Sequence, residues 1–287
     1  MLFRLLAADL PAVARPDKAS MSQQMLMEIL VGSLACADAF RDTNGCFKDV
    51  SCWNGVDLDL DGNVSSIRWA YYVDSDQDSD EGGREYVEEE DRLTNTGGFV
   101  DFQWIPDTVT TFSLSDLNVQ GSIDTTALPE SLAYLQVDTN SLNGTFDTKA
   151  LPRGLEEVRI CRNKISGSLD MTQLPTALQA FYAACNCLCG SLDFSRLPDG
   201  LRSLSLVNNL FSGTIDLRHV PKCVEFIQLC GNKLRQSELC VATDLPHLFS
   251  LTLDKAITKK IVDESGKPVK AVTRPGGRTI EMRFRVL

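Results

Sequence analysis

Apolar residues recur along most of this chain on a fixed long period. Pro106, Pro129, Pro152, Pro175, Pro198 and Pro221 stand 23 residues apart. Each opens a segment of the form LPxxLxxLxLxxNxLxGxxD, clearest in LPDGLRSLSLVNNLFSGTIDL from Leu197. The segment from Val220 runs two residues longer, and the one from Leu245 is cut short. In LxL, side chains two apart share one face of an extended strand. Leu204 and Leu206 form such a pair, as do Val158 and Ile160, and Ile227 and Leu229. A single short strand cannot bury that face, so the period predicts stacked repeats with one continuous core.

The fixed polar columns follow from the turns between strands. Asn140, Asn163, Asn186, Asn209 and Asn232 each follow a strand. A buried amide there can satisfy backbone groups of its own turn and of its neighbour, giving a structural Asn ladder. Gly121, Gly144, Gly167, Gly190 and Gly213 supply a second bend. Asp124, Asp147, Asp170, Asp193 and Asp216 precede the next Leu-Pro, where a carboxylate can bond nearby N–H groups and set a turn. We read this column as turn geometry rather than as catalytic or metal-binding carboxylates.

A further repeat is split in the N-terminal half. DGNVSSIRW (61–69) matches DGLRSLSL, and GGFVDFQWIP (97–106) matches SGTIDLRHVP. An insert of about residues 71–96 separates them. Its stretch DSDQDSDEGGREYVEEED is too charged to pack and reads as a solvated loop. About eight strands result, spanning roughly 35–40 Å of curved sheet at ~4.8 Å each. Helical spacing of Leu26, Ile29, Leu30, Leu34 and Ala37 predicts a helix over 22–40 that covers the first open end. The expected organisation is an unstructured or mis-started segment 1–20, with Met21 as an alternative start, then an N-terminal cap 21–59, repeats 60–254, and a small β cap 255–287. Within that last cap, KIVDESGKPVKAV reads as a hairpin turning at Ser265–Pro268, and RTIEMRFRVL alternates as a strand.

LxxLxLxxN resembles the signature of the leucine-rich-repeat superfamily, and LFSGTID resembles the LxGxI of its plant-type class, with Asp216 where that class has Pro. CWNGVDLDLDGNVSSI (52–67) is similar to the N-terminal cap of the same class, but Leu58 stands where the second cap cysteine belongs. Cys46 is the only local substitute as a partner for Cys52. The Leu-Pro opening with the IDL element is also similar to leucine-rich-repeat proteins of kinetoplastid protists. Over roughly residues 22–254 the resemblance implies an α/β leucine-rich-repeat solenoid: a curved horseshoe with a parallel β-sheet on its concave face, acting as a binding scaffold.

Charge narrows the partners. The 287 residues carry a net charge of −11, which argues against nucleic acid held by general phosphate attraction. Residues 57–101 hold fourteen Asp and Glu against three Arg, whereas 255–287 hold nine Lys and Arg against three acids. No apolar run is long enough for a transmembrane helix, and Asp9 and Pro11 interrupt what would be a signal-peptide core. Ten cysteines are too sparse for a disulfide scaffold. A cytoplasmic location is expected, with export through an unrecognised signal as the alternative.

Candidate chemistry is sparse. Asp57, Asp59, Asp61 and Gly62 copy the first half of an EF-hand loop, but its twelfth position, which needs a bidentate Glu, is Arg68. The stretch reads as a turn entering the first strand. Cys185, Cys187 and Cys189 cluster without a fourth ligand; the expected column mates of Cys187 are Lys164 and Leu210. No nucleophile, phosphate-loop or dinucleotide motif is present, so no enzyme activity, cofactor or metal is expected. The positions around LxL would display their side chains on the concave sheet. Tyr134, Gln136, Asp138, Glu157, Arg159, Arg162, Tyr182, Phe226 and Gln228 are the candidate binding residues for a protein or peptide ligand, since aromatics and Arg dominate binding hot spots. The alternatives are a structural or surface element with no dedicated concave ligand, and an adaptor acting through its acidic loop.

Overall fold

Leu135, Val158, Phe181, Leu204, Ile227 and Leu251 sit inside successive short strands and are fully buried. In this computed structural model, residues 17–70, 93, 96–242, 244–248, 250–254, 257–269 and 279–282 are described. Eight parallel strands lie side by side: Val64–Ala70, Thr111–Ser115, Tyr134–Gln136, Glu157–Arg159, Ala180–Tyr182, Ser203–Ser205, Phe226–Gln228 and Ser250–Asp254. Antiparallel strands Val56–Leu58 and Thr279–Met282 border them at the two ends. Tyr134 pairs with Glu157 and Glu157 with Ala180, so the sheet steps by the 23-residue repeat. The split N-terminal repeat forms as read: Val64–Ala70 pairs in parallel with Thr111–Ser115, and Phe99 bridges to Gln120 on the outer side.

The outer arc is built differently. Short strands Ser166–Ser168, Cys187–Gly190, Leu210–Gly213 and Lys233–Leu234 form a second parallel ladder. Here Cys187 pairs with Ser166 and Cys189 with Leu210, a step of 21 rather than 23. This corrects the expected column mates of the thiol cluster. Two residues of offset accumulate because the outer chain slants across the coil that the inner strands cross squarely. Each arc then tightens into a short turn capped by its Asp: the carboxylate oxygens of Asp124, Asp147, Asp170, Asp193 and Asp216 accept the N–H two residues on, at 2.9–3.1 Å.

The Asn column is the internal brace. Asn163 accepts the N–H of Leu142 at 3.0 Å and donates to the carbonyl of Val137 at 2.9 Å, both in the preceding repeat. Asn140, Asn186, Asn209 and Asn232 repeat this pattern. A buried backbone group left unpaired costs more than a hydrogen bond gains, so each amide ties two turns that packing alone would leave unsatisfied. Gln236 acts likewise on both the N–H and the carbonyl of Ile215, which the sequence pattern did not suggest.

The ends close by separate devices. Helix α1 (Gln23–Gly32) buries Leu26, Met27, Leu30 and Val31, and Ser22 caps its start. It is shorter than the 22–40 span expected, because Leu34 leaves the helix to bridge Gly98. An aromatic cluster then covers the first turn, with Phe40 4.7 Å from Trp53 and 5.0 Å from Trp69. Trp53 and Trp69 donate their indole N–H groups to Lys48 and Asn54 carbonyls. Gly55, at φ 73°, lets the backbones meet, since a Cβ there would lie 2.2 Å from the Arg68 carbonyl oxygen. Cys46 and Cys52 are both exposed and are not joined in a disulfide. The EF-like stretch is a turn: Asp59 accepts the N–H groups of Asp61 and Asn63, and Asp57 pairs with Arg68. At the C-terminal end the turn falls at 263–267, shifted towards the N-terminus from the expected Ser265–Pro268, and Lys260–Val262 pairs in parallel with Glu238–Cys240 as a separate two-stranded sheet. The acidic insert lies outside the described residues except for Leu93 and Thr96, and so do residues 255–256, 270–278 and 283–287 of the basic tail.

Candidate functional site

Strand register sorts the concave side chains into three rows. The first runs Thr111, Tyr134, Glu157, Ala180, Ser203, Phe226 and Ser250. The second runs Ser113, Gln136, Arg159, Tyr182, Ser205, Gln228 and Thr252. Beyond the strand ends a third row continues the step through Ser115, Asp138, Cys161, Ala184, Val207 and Cys230 to Asp254. Eight of the nine candidate residues therefore belong to one face. Arg162 stands one residue beyond the third row, exposed at a bend with φ 54°.

The face is not uniform. Ser66, Ser113 and Ser115, on the first two strands, are buried rather than displayed. The open part begins at Tyr134, 43% exposed, and runs to Gln228. Bulky side chains gather at Tyr134, Glu157, Arg159 and Tyr182. Ala180, Ala184, Ser203 and Ser205 then leave a shallow stretch before Phe226 rises again.

The bulky group is pre-ordered. The Arg159 guanidinium lies 4.5 Å over the Tyr182 ring, and its Nε donates to Glu157. Stacking and a charge-assisted bond together fix a side chain that would otherwise lose much rotamer freedom on binding. The Tyr134 hydroxyl donates to Glu156 at 3.0 Å, and Gln179 donates to the same carboxylate oxygen at 3.1 Å. That bond to Glu156 holds the Tyr134 proton above its ordinary range. Burial pushes the Asp138 carboxyl up to about 6, against the opposing pull of the Cys161 N–H, 2.6 Å away, and of Arg159. Burial likewise raises the Cys161 thiol to about 12, so it stays protonated and unreactive. Among the described residues no group of three His, Cys, Asp or Glu side chains is placed to hold a metal ion. No helix of the described residues is long and apolar enough to cross a membrane.

No protein-family model matches the chain, and no curated protein does. Solved structures do. Pollen receptor kinase 3 matches at 18% identity and a TM-score of 0.50, over 73% of this chain and 93% of that one. PEPR1, in its structure with AtPEP1, matches at 16% identity and a TM-score of 0.54, over 84% of this chain and 32% of that one, so this chain spans about a third of its length. The BIR3–SERK2 complex from Arabidopsis thaliana matches at 20% identity, with a TM-score of 0.43, over 76% of this chain and 95% of that one. With its repeat period and its parallel concave sheet, the chain has the fold of a leucine-rich-repeat solenoid.

Proposed function

We propose that this solenoid is a non-catalytic interaction module that holds a protein or peptide on its concave face between Tyr134 and Phe226. One observation carries the reading. The inward and turn positions repeat almost identically from one coil to the next, while the concave rows change, and their large side chains collect in one pre-ordered group. The PEPR1–AtPEP1 structure shows the same fold in a complex, which supports the reading at the level of architecture. Affinity capture from the source cell, comparing the wild type with Tyr134→Ala/Arg159→Ala/Tyr182→Ala, tests it. A partner held by the wild type and lost by the variant is expected. The same catch with both proteins would move function off this face, towards the acidic loop or the basic tail. These side chains lie outside the core, so circular dichroism should show an unchanged fold.

Two finer readings belong with this proposal. We read the Leu-Pro opening and the IDL element as similar to those of kinetoplastid leucine-rich-repeat proteins. We place its work in the cytoplasm, where thiols stay reduced; alkylation of native material should then modify the exposed Cys46, Cys52, Cys187 and Cys189 without prior reduction, and blocked thiols would indicate export.

A further inference from the structure

We propose, building on the concave reading above, that the face takes an extended basic segment of a partner protein, with one of its Lys or Arg side chains entering beside Asp138 where the third row meets Ser115. Three features of the rows point there. The first is charge. From Tyr134 onward Asp138, Glu157 and Asp254 face one cation on the rows, Arg159, whose Nε Glu157 already holds; Arg68, which continues the second row beyond Ser113, is paired with Asp57. Carboxylates therefore remain at both ends of the third row. Asp254 caps the turn at Gly231, and five strand steps, about 24 Å, separate it from Asp138. Cys161, Ala184, Val207 and Cys230 make a low floor between them, as long as about seven extended residues.

The second is an unsatisfied hydroxyl. Ser115 Oγ is buried, with the residue only 5% exposed, and has no hydrogen-bond partner. It neighbours Asp138 in the row, and native structures leave few such groups unpaired without a reason. An ammonium or guanidinium donates several hydrogen bonds and accepts none, so it suits a hydroxyl oxygen and a carboxylate side by side.

The third is the state of Asp138 itself. Its partners are the backbone N–H and the thiol of Cys161. The charged groups around it are Arg159 on the next strand, which favours ionisation, and Asp116 on the preceding turn, which opposes it. A fold that needed only a turn acceptor would be better served by an amide. A carboxyl held near 6 is ionised at neutral pH with little compensation, and an incoming cation supplies what is missing. Affinity should therefore rise as pH climbs through that value.

The test uses the full chain and two fluorescein-labelled probes, a Lys-Thr repeat and a Glu-Thr repeat of about nine residues each. Fluorescence polarisation near physiological salt is read at about pH 7.5 and about pH 5. The Lys probe should bind at least about tenfold tighter than the Glu probe, and several-fold more weakly at the lower pH. Asp138→Asn keeps an oxygen for the Cys161 N–H, so the fold should persist; it should lose about tenfold in affinity together with the pH dependence. Asp199→Asn, exposed and away from the rows, should change neither. Equal losses from Asp138→Asn and Asp199→Asn would reduce the effect to general attraction by net charge and overturn the proposal. Equal binding of both probes, weakened alike by Tyr134→Ala/Tyr182→Ala, would keep the concave site but overturn its basic preference. Binding of neither probe would also overturn it, while the partner capture described above would still report on the concave face.

Discussion

The outer arc and the concave sheet of this solenoid are made by the same repeats and obey opposite rules. On the arc, the Asn and Asp columns hold one residue type in nearly every coil, and the structure gives each copy the same partners. On the sheet, the first row alone passes from Tyr134 to Glu157, Ala180, Ser203 and Phe226. Backbone geometry demands constancy where a buried amide or carboxylate must meet fixed N–H groups. It demands nothing of side chains that leave the sheet. Internal repeats thus act as their own control: what stays constant holds the coil, and what varies is open to selection by a ligand.

Breaking the constant side should cost most. Asn163→Ala orphans the Leu142 N–H and removes one of the two amide donors to the Val137 carbonyl, which keeps Asn140 at 3.2 Å, and should lower stability by roughly 2–3 kcal/mol in chemical denaturation. A loss below about 0.5 kcal/mol would mean that the ladder is decorative. Next comes Asp138→Asn, with the opposite sign. Because the folded carboxyl titrates near 6 and the unfolded one near 3.8, ionisation at neutral pH destabilises the fold. The stabilising contribution is complete below 3.8 and is lost as pH rises through 6. The variant should therefore be more stable than the wild type by on the order of 2 kcal/mol at neutral pH, and the gain should vanish as pH falls through that window. Asp147→Ala removes one turn cap and should cost about 1 kcal/mol. Tyr134→Ala, at an exposed position, should move the denaturation midpoint least, by under about 0.5 kcal/mol, while weakening partner capture.

Much of this division was readable in the chain itself. The 23-residue spacing of the prolines gave the strand step, and LxxLxLxxN gave the inward residues and the amide brace. The split repeat at 61–69 and 97–106 was recoverable because Val64, Ile67 and Trp69 keep the apolar spacing. Other features depend on the third dimension. The 21-residue outer step comes from the slant of the coil, which no single repeat records. Burial of Ser113 and Ser115 is invisible in columns whose next members, Gln136 and Asp138, are half-buried. The aromatic cap joins Phe40, Trp53 and Trp69 from segments that share no motif. Lys260–Val262 pairs with Glu238–Cys240 although its sequence has left the repeat pattern. The boundaries at 21–59, 60–254 and 255–287 accordingly remain a proposal, which limited proteolysis can test.

The most direct measurement is hydroxyl-radical footprinting of the protein with its captured partner. Tyr134, Tyr182 and Phe226 should be protected, while Leu210 and Phe99, both exposed large side chains away from the rows, should react as in the free protein. Protection at Leu210 or Phe99 with Tyr134 and Tyr182 unchanged would contradict the concave site.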